Sequence, residues 1–188
     1  MRKEAPSLGR RRFLERTVSG AAVLGFPAIT RSRSPNGKLA VGLIGVGGRG
    51  RHHVKAVGDL GEDIVAMCDV NEVSLGKALE TAAPRARAHI DFRDFYDKID
   101  DLDAVIVSTT EHTHAFATLP ALRAGKHVYC EKPLSHDVHE CRIVTEEARK
   151  AGVKTQMGTQ IHAGENYRRV VELIETGSIG PVREVHTW

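Results

Sequence analysis

The segment Gly45-Val46-Gly47-Gly48-Arg49-Gly50 fits the pattern G-x-G-x-x-G and limits what this chain can fold into more than any other stretch. The pattern alone is weak; its surroundings make it specific. The apolar run Leu39–Ile44 leads into it, residues 51–57 continue it as a helix, and a second apolar run, Ile64–Cys68, ends in Asp69, 19 residues beyond Gly50. Strand, glycine turn, helix, strand and acid in that order make up the first half of a dinucleotide-binding unit. Gly45 permits the tight turn, Gly47 lets a pyrophosphate approach the backbone, and Gly50 lets the helix close on the strand. The helix start offers free N–H groups and a positive dipole end to the phosphates, so Val46 and Gly48 count among the candidate contacts. Asp69 is placed to accept hydrogen bonds from ribose hydroxyls and to repel a 2′-phosphate, which makes NAD the expected cofactor and NADP the less favoured one. Arg49 has two readings, over the phosphates or free in solvent.

Beyond this unit the chain keeps alternating short apolar runs with helical stretches. Expected strands are Leu39–Ile44, Ile64–Cys68, Ala86–His89, Ala104–Ser108, His127–Cys130 and Lys154–Met157. Near-continuous apolar runs suit strands covered on both faces, so the expected fold class is α/β, a doubly wound parallel sheet of the Rossmann type. The clearest helix is Asp137–Ala151, with apolar positions stepping by three and four, Ser135 or His136 near its start and Gly152 as its C-cap. In residues 114–124, Pro120 should kink a helix or delay its start. A helix over Glu165–Thr176, a turn at Gly177–Gly180 and an alternating run Pro181–Trp188 then read as the first helix and strand of a second α/β domain. The expected organisation is a leader over 1–36, a nucleotide-binding domain over 37–158, and over 159–188 the start of a substrate domain whose remainder lies beyond this sequence.

Composition narrows the function classes. Of the 188 residues 41% are hydrophobic and only 5% aromatic, which argues against membrane bundles and against stacking platforms for single-stranded nucleic acid. The net charge of +3 is lopsided: residues 1–38 hold nine Lys/Arg against two acids, and the rest carries 18 against 22. The body is mildly acidic, so no nucleic-acid partner is expected. The basic leader resembles a twin-arginine export signal. Arg10-Arg11 is the pair, Phe13-Leu14 follows, and a 13-residue weakly apolar run, 17–29, is too short for an ordinary membrane span. Gly9 and Glu15 depart from the commonest form of that signal. The expected location is periplasmic or extracytoplasmic, with a membrane tether if the leader is retained.

In doubly wound sheets ligands sit beyond the C-terminal ends of the strands. After the fourth strand come Ser108, Thr109, Thr110, His112 and His114; after the fifth come Glu131-Lys132-Pro133; after the sixth comes Gln160. Taken with the glycine fingerprint, the Gly125-Lys126-His127-Val128 and Glu131-Lys132-Pro133 block and the spacing of Thr109 and His114 make residues 38–188 resemble the glucose–fructose oxidoreductase, inositol dehydrogenase and rhizopine-catabolism (Gfo/Idh/MocA) superfamily. The resemblance implies an NAD(P)-dependent oxidoreductase acting on sugars, cyclitols or similar polyols. It also implies that Lys132 is the catalytic lysine beside nicotinamide and substrate, with Glu131 pairing with it to orient it and the nicotinamide ribose. His114 matches the family histidine, while Thr110 stands where the family usually has proline. The family's Asp and His acid–base partners, and a homo-oligomer interface, belong to the second domain.

Two rival readings are an NAD-dependent glycosidase of the same superfamily and a non-catalytic nucleotide-binding protein. The retained Glu-Lys-Pro block disfavours the first, and Lys132 speaks against the second. Neither His52-His53 nor His136 and His139 has enough partners in the sequence for a metal set, so no metal is expected. Three scattered cysteines, Cys68, Cys130 and Cys141, imply no disulfide framework.

Overall fold

Short apolar runs bury both faces by stacking side by side between layers of helix, as Ala40–Ile44 at the centre of the sheet does, while the edge strands are more polar and more open. The structure, a computed structural model, describes residues 37–162 and 164–187; the expected leader, 1–36, lies outside them. The strands are β1 (Ala40–Ile44), β2 (Asp63–Cys68), β3 (Arg87–His89), β4 (Ala104–Val107), β5 (His127–Glu131) and β6 (Thr155–Gly158). All neighbours pair in parallel, in the order β3-β2-β1-β4-β5-β6. The connecting helices are α1 (Gly50–Asp59), α2 (Glu72–Ala82), α3 (Phe92–Tyr96), α4 (His114–Arg123) and α5 (Val138–Ala151), and α6 (Glu165–Glu175) follows β6. The chain order reverses between β1 and β4, and there the sheet opens a crevice at its C-terminal edge.

Alternation along β1 divides the core. Val41 and Leu43 pack with Val54 and Val57 of α1 and Leu75 and Ala78 of α2. Ile44 packs on the opposite face with Phe95, Leu102, Val105, Val107 and residues of α4 and α5. Gly42 leaves room there: a Cβ on it would lie 2.4 Å from Cζ of Phe95, which is fully buried.

The element ends differ from expectation in informative ways. α5 starts one residue later than the periodicity suggests, because Asp137 is its N-cap and accepts from Glu140 N at 2.9 Å, while Glu140 reaches back to His136 N. Gly152 ends it in the left-handed region, φ 64°. Pro120 neither delays nor stops α4: the helix begins at His114 and runs through it, after a 3₁₀ turn at Glu111–Thr113. The strand expected over 181–188 is absent from residues 181–187, since no other strand among the described residues lies beside it to complete a ladder. No helix among the described residues is long and apolar enough to cross a membrane.

Candidate dinucleotide-binding site

Gly45 ends β1 at φ 82°, and its N–H is held by Cys68 O at 2.8 Å, so the turn leaves the sheet directly over β2. A Cβ on Gly45 would stand 2.5 Å from Ser108 O, and one on Gly50 would stand 1.9 Å from Gly45 O. Both positions therefore exclude every side chain. Gly48, at φ 42°, meets nothing and is exposed. The loop is closed from the other side by Asp69, whose Oδ2 accepts from Val46 N at 2.8 Å and Gly47 N at 3.0 Å. Its Oδ1 accepts from Asn71 N at 2.9 Å. Asp69 thus bonds to the glycine loop as well as occupying the expected place at the end of β2. Val46 departs from the expected role. Its side chain is fully buried in the core, so only its backbone N–H faces the loop.

These residues surround one cleft of about 820 Å³, lined on one side by Gly45, Gly47, Gly48, Arg49 and Asp69 and on the other by Ser108, Thr109, Thr110 and His112. A further wall comes from the loop after β3, Ile90 to Arg93, with Val70 beside it. That loop went unread in the sequence, although the rule applied to β4, β5 and β6, that ligands meet the residues just beyond a strand end, also covers β3. The buried hydroxyl of Ser108 has no hydrogen-bond partner. A cleft with a glycine floor, an acid at the end of β2 and an orphaned hydroxyl at the switch point fits an NAD-sized ligand. The glycine-loop amides and the start of α1 would hold its pyrophosphate, and Asp69 the adenosine ribose.

The residues after β5 and β6 lie outside that lining. Lys132 is exposed, and its ammonium makes no hydrogen bond or ion pair among the described residues. Its charge is nevertheless felt at Glu111. That carboxyl is held below its ordinary value first by a hydrogen bond to its own backbone and then by Lys132 and nearby histidines. Lys132 N donates to Gly158 O at 3.2 Å. Gln160 is exposed in the turn after β6.

Glu131 does not pair with Lys132, contrary to expectation. Its side chain is buried and Oε1 takes His53 Nε2 at 2.6 Å and Arg49 Nε at 3.1 Å. Burial alone would raise the Glu131 carboxyl, but the hydrogen bonds from His53 and Arg49 outweigh it and the net shift is downward. For His53, burial dominates and lowers the imidazole below its ordinary value, despite the opposing pull of Glu131. Arg49 accordingly takes neither of its two sequence readings alone: it lines the cleft and is bonded to Glu131. His53 was missed, although it sits one helical turn after Arg49 on the same face.

His114 is 1% exposed, so it supports the site from beneath rather than touching a ligand. Its Nδ1 lies 2.6 Å from Pro133 O and its Nε2 3.0 Å from Thr109 O, which ties the loop after β4 to the loop after β5. Burial pushes the thiols of Cys68 and Cys130 up to about 12 and about 11, which makes them inert at neutral pH. His136, Asp137 and Glu140 bring ligand-capable atoms within 4.8 Å of one another, an arrangement the cap of α5 accounts for. His136 precedes that helix and so does not share it with His139.

Comparison with known proteins places this geometry. The model of the GFO_IDH_MocA family, described as an oxidoreductase family with an NAD-binding Rossmann fold, matches residues 39–159. The inositol 2-dehydrogenase of Salmonella paratyphi B is 32% identical over 153 residues, which are 79% of this chain and 45% of that protein. That of Gluconacetobacter diazotrophicus is 34% identical over 151 residues, 79% of this chain and 44% of its own. The solved scyllo-inositol dehydrogenase of Lactobacillus casei, with bound NAD(H) and scyllo-inositol, superposes with a TM-score of 0.69 at 25% identity. The match covers 77% of this chain and 43% of that one. The chain spans a little under half the length of these relatives.

Proposed function

Because the chain belongs to the Gfo/Idh/MocA oxidoreductase family with its NAD-binding Rossmann fold, we propose that it forms the nucleotide-binding portion of an NAD-dependent dehydrogenase acting on a sugar, cyclitol or related polyol. The observation that carries this reading is Lys132, an exposed ammonium that leaves a strand end fixed by its neighbours. Bound nicotinamide supplies the hydride acceptor or donor. Lys132 donates to the substrate oxygen and stabilises the negative charge that develops there. Gly45, Gly47, Gly48 and Gly50 keep side chains away from the phosphates, while Ser108, Thr109, Thr110 and His112 line the facing wall. Acid–base partners and substrate selection fall to a second α/β domain starting near residue 159, through whose sheet the protein assembles as a homo-oligomer. The length of the relatives and the half-exposed apolar face of α6 support that assignment.

Export by the twin-arginine route, to a periplasmic or other extracytoplasmic location, is inferred from Arg10-Arg11 and the weakly apolar run after it. Arg10→Lys with Arg11→Lys should hold the protein in the cytoplasm, and unchanged export would remove this part of the reading.

The enzymatic part is tested by following NAD reduction in the full protein against a panel of inositols and sugars. Lys132→Ala should lower kcat by about 10²–10³ while the protein still binds NAD. NAD binding without turnover on any polyol would instead support the non-catalytic reading, and absence of NAD binding would overturn both.

A further inference from the structure

Glu131 is the one buried acidic residue among the described residues, and it immediately precedes Lys132. The carboxylate is enclosed on every side. From α1 it receives His53 Nε2 at 2.6 Å and from the glycine loop Arg49 Nε at 3.1 Å, both on the same oxygen. From β6, Gly158 closes against it so tightly that a Cβ would stand 2.8 Å from Glu131 Cδ and Oε1 and 2.7 Å from the Tyr129 hydroxyl. Tyr129 meets the His53 ring edge-on at 5.1 Å between centroids, which fixes the imidazole plane. The backbone is held as well, with Lys132 N on the carbonyl oxygen of Gly158, the residue that Glu131 packs against, and Pro133 O facing His114 Nδ1. Residues 131, 132 and 133 are thus tied to α1, β6 and α4 in turn.

His53 sits on a helix whose first turn borders the glycine loop, and Arg49 belongs to that loop itself. Resting on the dehydrogenase reading above, we propose that His53 is a positioning residue for Lys132, acting through Glu131, with Arg49 sharing that task from the glycine loop. The loop that holds the pyrophosphate and the loop that carries the lysine then move as one body, although neither His53 nor Glu131 lines the cleft. An ordinary buried pair would only keep the protein folded. A positioning pair must in addition affect turnover through Lys132.

The test compares His53→Ala, His53→Gln and wild type in the full protein, alone and combined with Lys132→Ala. Gln puts an N–H close to where Nε2 of the imidazole lies, and Ala puts nothing there. Expected are a kcat lower by at least about tenfold in His53→Ala, a Kd for NAD within about twofold, and recovery of most of kcat in His53→Gln. In the Lys132→Ala background, His53→Ala should cost no further activity. A second independent loss of about tenfold would overturn the proposal, because the two residues would then act separately. Should His53→Ala fail to fold, His53→Asn, whose N–H falls at the Nδ1 position instead, takes its place with the same expectations.

A second readout needs no turnover. Amide exchange at Lys132 should speed up by at least about tenfold in His53→Ala and return in His53→Gln, while the Gly45 amide stays unchanged. If no polyol is oxidised by wild type, the dehydrogenase reading fails by itself, and exchange still decides the coupling. An unchanged Lys132 amide in His53→Ala overturns it.

Discussion

Asp69 illustrates how a single carboxylate serves two neighbours. It caps the Val46 and Gly47 amides at 2.8 and 3.0 Å and stands where a ribose would arrive. Asp69→Ser should therefore weaken NAD binding by about 1.4 kcal/mol, one decade, and narrow the preference over NADP, as read by calorimetric titration with each nucleotide. Glu131 and His53 make a pH prediction. His53 is lowered from its ordinary 6.5, so the unfolded chain binds the extra proton first, and stability falls as pH drops below 6.5 toward the folded value. Glu131 is lowered from 4.5, so its contribution is present above 4.5 and is lost as pH falls through its folded value. Both act in the same direction. Thermal unfolding should show a midpoint that declines on acidification from about 6.5, and His53→Gln should reduce the part nearest 6.5, to which the likewise lowered His89 also contributes, while keeping the loss below 4.5. The turn at Gly45 and the close packing at Gly50 were legible in the sequence because a turn is decided by neighbouring backbone. The partner of Glu131 was not, because His53 is 78 residues away and meets it only once α1 lies against the sheet.

The helices separate glycines that are needed from glycines that are tolerated. In α1, Gly50 abuts the Gly45 carbonyl, backbone against backbone, and nothing there can yield. Gly50→Ala should destabilise the protein by about 3 kcal/mol despite the better helix propensity of alanine. Gly76, inside α2, has open space around a would-be Cβ, and Gly76→Ala should stabilise by about 0.5–1 kcal/mol. Chemical denaturation of both variants checks the opposite signs. Element type was readable where period or apolar run is strong, as in α1, α4, α5 and the central strands; α2 and the short α3 were not singled out, because neither carries so clear a stripe. Pro120 misled because its missing N–H and its ring disturb only the preceding turn, and burial of Ala115, Ala117, Ala121 and Leu122 keeps α4 continuous. The run 181–187 misled because alternation describes a strand only when a neighbouring strand exists to receive it.

In the body as a whole, stability is unevenly spread. At the centre of the sheet β1 is buried on both faces, and β4 beside it buries Val105 and Val107 on one face, whereas α6 has no buried residue and its apolar positions Tyr167, Val170, Val171, Leu173 and Ile174 are 42–48% exposed. Amides of α6 should exchange at least ~100-fold faster than those of β1, as followed by mass spectrometry or NMR. The parallel order β3-β2-β1-β4-β5-β6 has a consequence for how such a protein can change over time. Every strand delivers its loop to the same rim, so residues that meet a ligand are replaced without touching the packing that keeps the sheet together. Inheritance can then vary the rim as freely as a keyboard is retuned on an unchanged frame. Gly45 escapes that freedom, because it is at once rim and frame, and lineages that alter the chemistry should keep it long after Thr110 or His112 has drifted.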